Sequence, residues 1–335
     1  DMMKKIINDD RNCVQEMLEG YLAAYSDLYE NCGMDSCVVA KKRRKKGVTL
    51  VIGGGSGHEP LFGGFVGSGL ADAAVCGNIF AAPNPNVIFQ TVQRVHNGNG
   101  VLFIYGNYAG DNMNFDVAEE LCEIAGIQTA HVRVYDDCAS APIDRMEDRR
   151  GIAGDAFVIK IAGAACDAGL PLEEVVRIAE KARDQIRSLG IATQPGTAPG
   201  RKEAMFELGE NEIEYGMGLH GEKGIQRTQM AKADELVEYM YTALKADYAL
   251  KAGDTVCALV NGLGSTTLME LSIVYRKLYE LLNAEKIKVH DGEIKSWCTC
   301  QDMGGFSITI LKLDAELKRF YDEPCHSAYY SKAID

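Results

Sequence analysis

Residues 48–60 read Val48-Thr49-Leu50-Val51-Ile52-Gly53-Gly54-Gly55-Ser56-Gly57-His58-Glu59-Pro60, and the interpretation of the whole chain begins from them. Five strand-forming residues lead directly into three glycines, and glycine lets another group approach the backbone closely. The loop at 53–60 is not a standard nucleotide cradle. The chain has no Gly-Lys pair for a Walker loop, and His58 stands where a dinucleotide fingerprint needs its third glycine. A histidine at the end of such a loop is well placed to meet a ligand, so we interpret this loop as a candidate site.

Length and composition indicate an ordinary globular protein of about two domains. The chain has 335 residues, of which 47% are apolar and 25% charged, as in typical globular proteins. Its net charge of −13 argues against nucleic acid or an acidic membrane surface as the main partner. No apolar run approaches the ~18 residues of a spanning helix, and the N-terminus lacks a secretory h-region. Eleven scattered cysteines predict reduced, mostly buried thiols in a cytoplasmic protein.

The first half of the chain alternates strands and helices. Strands are expected at 48–52, 71–75, 101–105 and 131–134. Helices are expected at 10–25, from Pro85 onward and at 115–124. This alternation is typical of a parallel sheet with helical covers. Two helical segments follow at 152–169 and 172–189, and the small-residue run at 162–165 suits close helix packing.

The second half repeats the same kind of alternation. An irregular run at 194–200 places a domain boundary just before it, so the domains are expected at 1–187 and 188–335. Strands are expected at 213–219, 256–260, 287–290 and 306–311, and helices at 229–244 and 314–321. The predicted fold class is α/β, with two α/β domains that each hold a mainly parallel or mixed sheet covered by helices.

A run of six cations precedes the first strand of the glycine stretch: Lys41-Lys42-Arg43-Arg44-Lys45-Lys46. A nucleic-acid patch is one interpretation of this run. The acidic total charge and the absence of interleaved aromatic residues favour a solvated loop instead.

Three side chains are candidates for chemistry. Ligands bind beyond the carboxyl ends of parallel strands, so His58 and Asp111, which both follow strands, are expected at one sheet edge. Of the six histidines, only His58 and His220 sit in a glycine-rich turn close behind a strand. Asp111 is either a helix cap or a general base toward a hydroxyl. Two histidines and an aspartate, without metal-ligand spacing, suit capture of a small polar molecule, and a neutral imidazole can add to a carbonyl.

Five motifs together resemble the substrate-binding K domain of dihydroxyacetone kinase, which bacteria carry as a separate subunit. They are Gly53-Gly54-Gly55-Ser56-Gly57-His58-Glu59-Pro60, Asn107-Tyr108-Ala109-Gly110-Asp111, Lys160-Ile161-Ala162-Gly163-Ala164, Gly216-Met217-Gly218-Leu219-His220-Gly221-Glu222 and Val260-Asn261-Gly262-Leu263-Gly264. The resemblance covers nearly the whole chain.

The resemblance implies a homodimer of two-domain subunits and a role for each candidate residue. It implies that His220 captures the ketone covalently as a hemiaminal through its imidazole. His58 and Asp111 would hold the terminal hydroxyl of the substrate and assist its deprotonation. The backbone of three residues would contact the substrate: Gly55, Ser56 and Gly57.

The resemblance also implies partners. With no phosphate loop in the 335 residues, the immediate phosphoryl donor would be a separate ADP-binding L subunit, recharged by a phosphotransferase-system component M. ADP or ATP with its Mg²⁺ would reside on the L subunit, and this chain would hold no cofactor and no metal. The expected protein is then a cytoplasmic phosphotransferase subunit with an alcohol group as acceptor.

One position departs from the family pattern. Gly106 stands where the K subunits carry a lysine that touches substrate. A pocket with glycine at this position has one hydrogen-bond donor fewer and more space than a pocket with lysine. Two alternatives therefore stay open. The substrate could be a larger ketose such as erythrulose, or the chain could be a K-like paralogue that binds dihydroxyacetone as a regulatory co-activator without kinase activity.

Overall fold

The structure is a computed structural model that describes residues 4–30 and 37–333. The described residues form two compact units. The first unit contains the described part of 4–134 together with 155–182 and 316–333, and the second contains 135–154 and 183–315. The predicted domains at 1–187 and 188–335 differ from these units, because residues 135–154 and 316–333 each group with a unit built mainly from the other half of the chain.

The described residues form eight α-helices and fifteen strands. The helices are α1 (Cys13–Ala24), α2 (Pro85–Val95), α3 (Ala109–Ile124), α4 (Asp155–Asp167), α5 (Leu172–Asp184), α6 (Ala233–Asp247), α7 (Leu268–Ala284) and α8 (Ala315–Tyr321). The strands are β1 (Tyr29–Glu30), β2 (Cys37–Ala40), β3 (Thr49–Ser56), β4 (Gly67–Ser68), β5 (Ala73–Ile79), β6 (Val101–Gly106), β7 (Thr129–Val134), β8 (Ile186–Gln194), β9 (Glu212–Tyr215), β10 (Gln226–Gln229), β11 (Thr255–Gly262), β12 (Lys288–Lys295), β13 (Gly304–Leu313), β14 (Cys325–Ser327) and β15 (Ser331–Lys332).

The first unit is built on a six-stranded sheet of order β1-β2-β5-β3-β6-β7. Strands β5, β3, β6 and β7 run parallel, and β2 and β1 add an antiparallel edge. Apolar side chains of α2 and α3 cover one side of this sheet, and the rings of Tyr105 and Phe115 stack at 4.1 Å. The parallel sheet predicted from the alternation is therefore confirmed.

Helix α4 packs against β3 and β6 and is buried along nearly its whole length. A Cβ at Gly163 would lie 2.4 Å from the carbonyl oxygen of Gly69, so the predicted small-residue run does permit a close approach. Lys160 is fully buried on the same helix, and its ammonium group donates a hydrogen bond to the Glu323 carbonyl oxygen at 2.5 Å. These contacts tie the last residues of the chain to the first unit, where β15, β14 and β4 form a small antiparallel sheet.

The second unit is built on another six-stranded sheet, of order β10-β9-β8-β13-β11-β12. Its pairs are antiparallel except β11 with β12. Side chains of α6 and α7 form one core with this sheet, including Met240, Leu278 and Ile308. The predicted class, two α/β domains with parallel or mixed sheets, is confirmed in both units.

Some element boundaries differ from the sequence prediction. The helix predicted at 172–189 ends at Asp184, and residues from Ile186 form β8. Seven residues of β8 are buried in succession, so the strand has no apolar–polar alternation to reveal it. The helix predicted at 229–244 begins at Ala233, and the strand predicted at 213–219 ends at Tyr215.

The cationic run lies in an irregular segment before β3, which confirms the predicted loop. One member of the run is not solvated. The Arg44 side chain is 7% exposed and lies 2.6 Å from both Asp72 and Asp167. Arg43 pairs with Glu30. Arg44 therefore joins the loop to the residue just before β5 and to the end of α4.

The prediction of reduced thiols holds for most cysteines that the structure describes, nine of which are free. Cys37, which is not one of these nine, is disulfide-bonded and is an exception to the prediction. Within the described ranges, no helix combines the length and apolarity needed to cross a membrane.

Candidate functional site

The glycines of the opening stretch lie in a strand and not in a loop as predicted, because β3 continues through Ser56. Side chains are excluded there by close neighbours. A Cβ at Gly53 would lie 2.2 Å from the Val75 carbonyl oxygen, and one at Gly54 would lie 2.3 Å from the Phe62 ring. Ser56 is buried, and its hydroxyl donates to the Gly77 carbonyl oxygen at 2.6 Å. The Ser56 side chain therefore joins β3 to β5.

The turn begins at Gly57, whose φ of +105° is a conformation that favours glycine. The Gly57 N–H donates to a carboxylate oxygen of Glu59 at 2.8 Å. Burial raises the pKa of Glu59, although the N–H groups of the turn oppose that shift. Since Glu59 occupies the N–H group that a phosphate would need, the turn is not an anion cradle.

His58 follows Gly57 and is 4% exposed. Its ring lies 5.2 Å from the ring of Phe80, which comes just after β5. Asp111 is 8% exposed and lies in the first turn of α3. That helix begins six residues before the predicted start at 115, and its N-cap is Tyr108, so the cap interpretation of Asp111 is wrong.

The segments that carry His58 and Asp111 leave neighbouring strands of one sheet. Strands β3 and β6 are parallel, with Gly53 opposite Tyr105. Their carboxyl ends therefore lie at the same edge, as the topology argument predicted. Gly106 is the last residue of β6. A Cβ there would lie 3.2 Å from the Tyr108 ring and 3.6 Å from a carboxylate oxygen of Asp155, so a side chain at this position is nearly accommodated.

His220 belongs to the second unit, in a turn after β9. Gly221 has a φ of +78°, and its N–H donates to the Gly218 carbonyl oxygen at 3.1 Å. The His220 side chain is 26% exposed, and its Nδ1 lies 3.4 Å from a carboxylate oxygen of Glu222. The other oxygen of Glu222 accepts the His220 backbone N–H at 2.9 Å. Glu222 therefore contacts both the ring and the backbone of His220.

Glu222 is held in its ionised form. Burial alone would raise its pKa, but the hydrogen bond from His220 and the positive charge of Arg150 lower the pKa to about 2. Arg150 Nη1 lies 3.5 Å from Glu222. Sequence reasoning missed Arg150 and assigned no role to Glu222. Glu222 stands inside a recognisable motif, whereas nothing around Arg150 in the sequence marks it.

The other histidines carry different contacts. Nδ1 of His131 lies 2.9 Å from Glu119, and Nδ1 of His326 lies 2.7 Å from the Ser331 hydroxyl. Among the described residues, one group of possible metal ligands comes together, formed by Asp116, Glu119 and His131. Arg133 already pairs with Asp116 at 2.7 Å, which opposes the binding of a further cation there.

Three comparisons with known proteins bear on this site. The Dak1 domain profile matches residues 19–329. The chain is 43% identical over 333 residues to the PTS-dependent dihydroxyacetone kinase 2, dihydroxyacetone-binding subunit DhaK of Listeria innocua, with 98% of this chain and 99% of that protein covered. It is 37% identical to the L-erythrulose kinase of Pectobacterium atrosepticum, over 98% of this chain and 56% of that protein. The solved structure of the dihydroxyacetone kinase operon co-activator Dha-DhaQ superposes with a TM-score of 0.89 at 30% identity and covers 95% of this chain and 98% of its own.

The two α/β units and the matched profile define the class of protein: this chain belongs to the Dak1-domain family. Within that family it is similar over nearly its whole length to a dihydroxyacetone-binding kinase subunit. The resemblance to the K subunit, first seen in the five motifs, is thereby confirmed.

Proposed function

We propose that this chain is the dihydroxyacetone-binding subunit of a multi-subunit dihydroxyacetone kinase. The observation that carries the proposal is the contact of His220 Nδ1 with Glu222, in a chain 43% identical to a subunit of that name. A ring whose Nδ1–H donates to a carboxylate has its lone pair on Nε2. Such a nitrogen is a nucleophile suited to a ketone carbonyl.

The proposed capture forms an N–C bond, breaks the π bond of the carbonyl and adds one proton from solvent. The Nε2 lone pair of His220 bonds to the carbonyl carbon, the π pair moves to the carbonyl oxygen, and that oxygen takes a proton from solvent. The product is a hemiaminal whose ring retains the Nδ1 proton and a positive charge. The ionised Glu222, with a pKa of about 2, stabilises that charge across the hydrogen bond.

Covalent capture explains how such a pocket would select its substrate. Glycerol resembles dihydroxyacetone in size and in its hydroxyl groups but has no carbonyl, so it cannot form the adduct. A pocket that used hydrogen bonds alone would separate the two molecules poorly.

The nucleotide and its Mg²⁺ are proposed to reside on a separate L subunit, recharged by component M, while this chain forms a homodimer. We expect no phosphorylation of dihydroxyacetone by this protein with ATP and Mg²⁺ alone. Addition of a cognate L subunit and its recharging system is expected to start turnover, measured as ketone consumption. Turnover by this chain with ATP alone would refute the multi-subunit proposal.

His58 and Asp111 are proposed to hold the terminal hydroxyl, with Asp111 as general base and the backbone of residues 55–57 against the substrate. Asp111→Asn is expected to keep the adduct and to lower turnover by about 10²–10⁴-fold, because the base is removed while its shape is kept. Asp116→Asn, on the exposed side of the same helix, is the matched control and should leave turnover unchanged. Full turnover by Asp111→Asn would discard the base assignment.

Two observations each support an alternative function for this chain. The likeness to the co-activator Dha-DhaQ supports a regulatory paralogue that binds the ketone without kinase activity. Gly106, together with the identity to an erythrulose kinase, supports a larger ketose. The turnover experiment separates them when it is run with three- and four-carbon ketones. An adduct without turnover under any matched L subunit favours the co-activator, and preferred use of erythrulose favours the larger substrate.

A further inference from the structure

We propose that Arg150 is a positioning residue for His220, acting through Glu222. The inference rests on the proposed function, because it assigns Arg150 and Glu222 the task of setting which ring nitrogen of His220 attacks the ketone. Arg150 lies far from the His220 turn in sequence but in the same unit.

The guanidinium of Arg150 contacts two carboxylates and one backbone carbonyl oxygen. It lies 3.1 Å from Asp137 Oδ2 and 3.5 Å from Glu222 Oε2, and it donates to the Gly216 carbonyl oxygen at 3.2 Å. The Arg150 side chain is 15% exposed and that of Asp137 only 2%. The two carboxylates and the carbonyl oxygen surround a planar guanidinium that is mostly buried, which restricts its movement and keeps its positive charge beside Glu222.

The His220 turn is shaped around this ion pair. A Cβ at Gly218 would lie 2.1 Å from Glu222 Oε2 and 2.2 Å from Arg150 Nη1. Any side chain at this position would displace the carboxylate and the guanidinium together. The pair Arg150–Glu222 therefore requires a glycine at position 218.

This arrangement has a chemical consequence for the ring. With one oxygen on the His220 backbone N–H, the Glu222 carboxylate has its other oxygen facing Nδ1. An ionised acceptor at Nδ1 retains the proton on that nitrogen and leaves the lone pair on Nε2. Arg150 keeps the acceptor ionised and oriented. Without it, Glu222 can turn to solvent, and the ring loses the contact that retains its proton on Nδ1.

The first test observes the ring without any ketone. In wild-type protein with ¹⁵N-labelled histidine, at a pH where the ring is neutral, we expect the ¹⁵N shifts of His220 to report a proton on Nδ1. Glu222→Leu and Arg150→Met are expected to shift the signals toward the Nε2–H tautomer. Arg150→Lys, which keeps a positive charge, is expected to lie between Arg150→Met and wild type.

The second test measures the adduct with dihydroxyacetone labelled with ¹³C at the carbonyl, whose signal moves from the ketone to the tetrahedral region on capture. We expect Arg150→Met to weaken ketone binding about ten-fold or more, as for loss of a charge-assisted contact, with partial rescue by Arg150→Lys. The matched control is Arg227→Met, which removes a pair with Glu214 in the same unit and should leave binding unchanged.

Arg150→Met leaves Asp137 buried without its cation, so folding must be checked. Burial already raises the pKa of Asp137 to about 7 despite Arg150, so in the variant this carboxyl becomes neutral by protonation and does not remain as a buried charge. The double variant Arg150→Met/Asp137→Asn removes the carboxyl charge altogether. It is expected to show the same tautomer change as Arg150→Met.

The outcomes separate this inference from the proposed function. Adduct formation of equal strength in wild type, Glu222→Leu and Arg150→Met, with an unchanged tautomer, would overturn the positioning role and leave ketone capture intact. A tautomer that depends on Glu222 and Arg150, in a wild-type protein that captures no ketone, would overturn the proposed function and support the positioning role.

Discussion

His220→Ala is expected to abolish the covalent adduct with dihydroxyacetone while the fold survives. The variant removes the nitrogen that forms the bond, and no other group in the proposal can replace it. The His220 side chain is 26% exposed and lies outside the apolar core of its unit, so its loss should change the free energy of unfolding by about 1 kcal/mol. Crystals soaked with dihydroxyacetone test the result, with continuous electron density from ligand to ring required in wild type.

The matched control is His290→Ala, on strand β12 of the same unit. It removes an imidazole of similar exposure from outside the proposed site, and the adduct should form as in wild type. If His220→Ala retained a bound ketone with a tetrahedral carbon, the assignment of the nucleophile would be wrong. Loss of the adduct together with loss of cooperative unfolding would instead show that the turn is needed for folding.

Among the variants proposed for this protein, Asp247→Ala is expected to lower the free energy of unfolding most. The two oxygens of Asp247 accept from Arg149 at 2.7 and 2.5 Å, and one of them also accepts from Arg187 at 2.9 Å. The Arg149 side chain is 1% exposed and that of Arg187 is 8% exposed. Removal of their shared carboxylate leaves two cations buried without it. Breaking a buried pair in this way lowers the free energy of unfolding by about 3–5 kcal/mol.

Urea unfolding monitored by circular dichroism measures this effect. Asp234→Ala is the matched control, because Asp234 pairs with Arg276 where both side chains are about half exposed, and such a pair contributes at most about 1 kcal/mol. Equal losses in the two variants would contradict the role of Asp247.

The stability that Asp247 contributes should also depend on pH. Burial opposes ionisation, but the two arginines lower the pKa of Asp247 below its ordinary value. A carboxyl whose pKa is lower in the folded protein stabilises it fully above the unfolded pKa, about 3.9. That contribution is lost as the pH falls through the folded pKa. The difference in the free energy of unfolding between wild type and Asp247→Ala should therefore become smaller as the pH falls through the folded pKa of Asp247.

Much of the architecture follows from local sequence patterns. Strands β3, β6 and β11 are short apolar runs that end in glycine or polar residues, and α2 begins at Asn84-Pro85 as its cap signal predicts. These signals are local because a strand or helix buries residues at a fixed spacing. Strand β8 was not predicted, because a strand that is buried on both faces has no alternation of apolar and polar residues.

The candidate site was predictable only where a motif marked it. His58 and His220 stand in glycine-rich turns, and Asp111 follows an apolar strand, so each could be named from the sequence. Arg150 could not be named, because its role comes from a contact with Glu222, a residue distant in sequence. Pairing between distant residues leaves no local pattern.

The glycine-rich stretch at 53–57 shows what can be predicted from the amino-acid sequence and what requires the folded structure. From the amino-acid sequence alone it is clear that four of these five positions have no side chain and that His58 follows them. The reasons become visible in the folded chain. Gly53 and Gly54 admit close neighbours inside β3, whereas Gly57 has a positive φ. Folding also buries Arg44, one of six adjacent cations, against Asp72 and Asp167. Composition and periodicity report local conformation, whereas burial and ion pairing depend on which distant segments fold against each other.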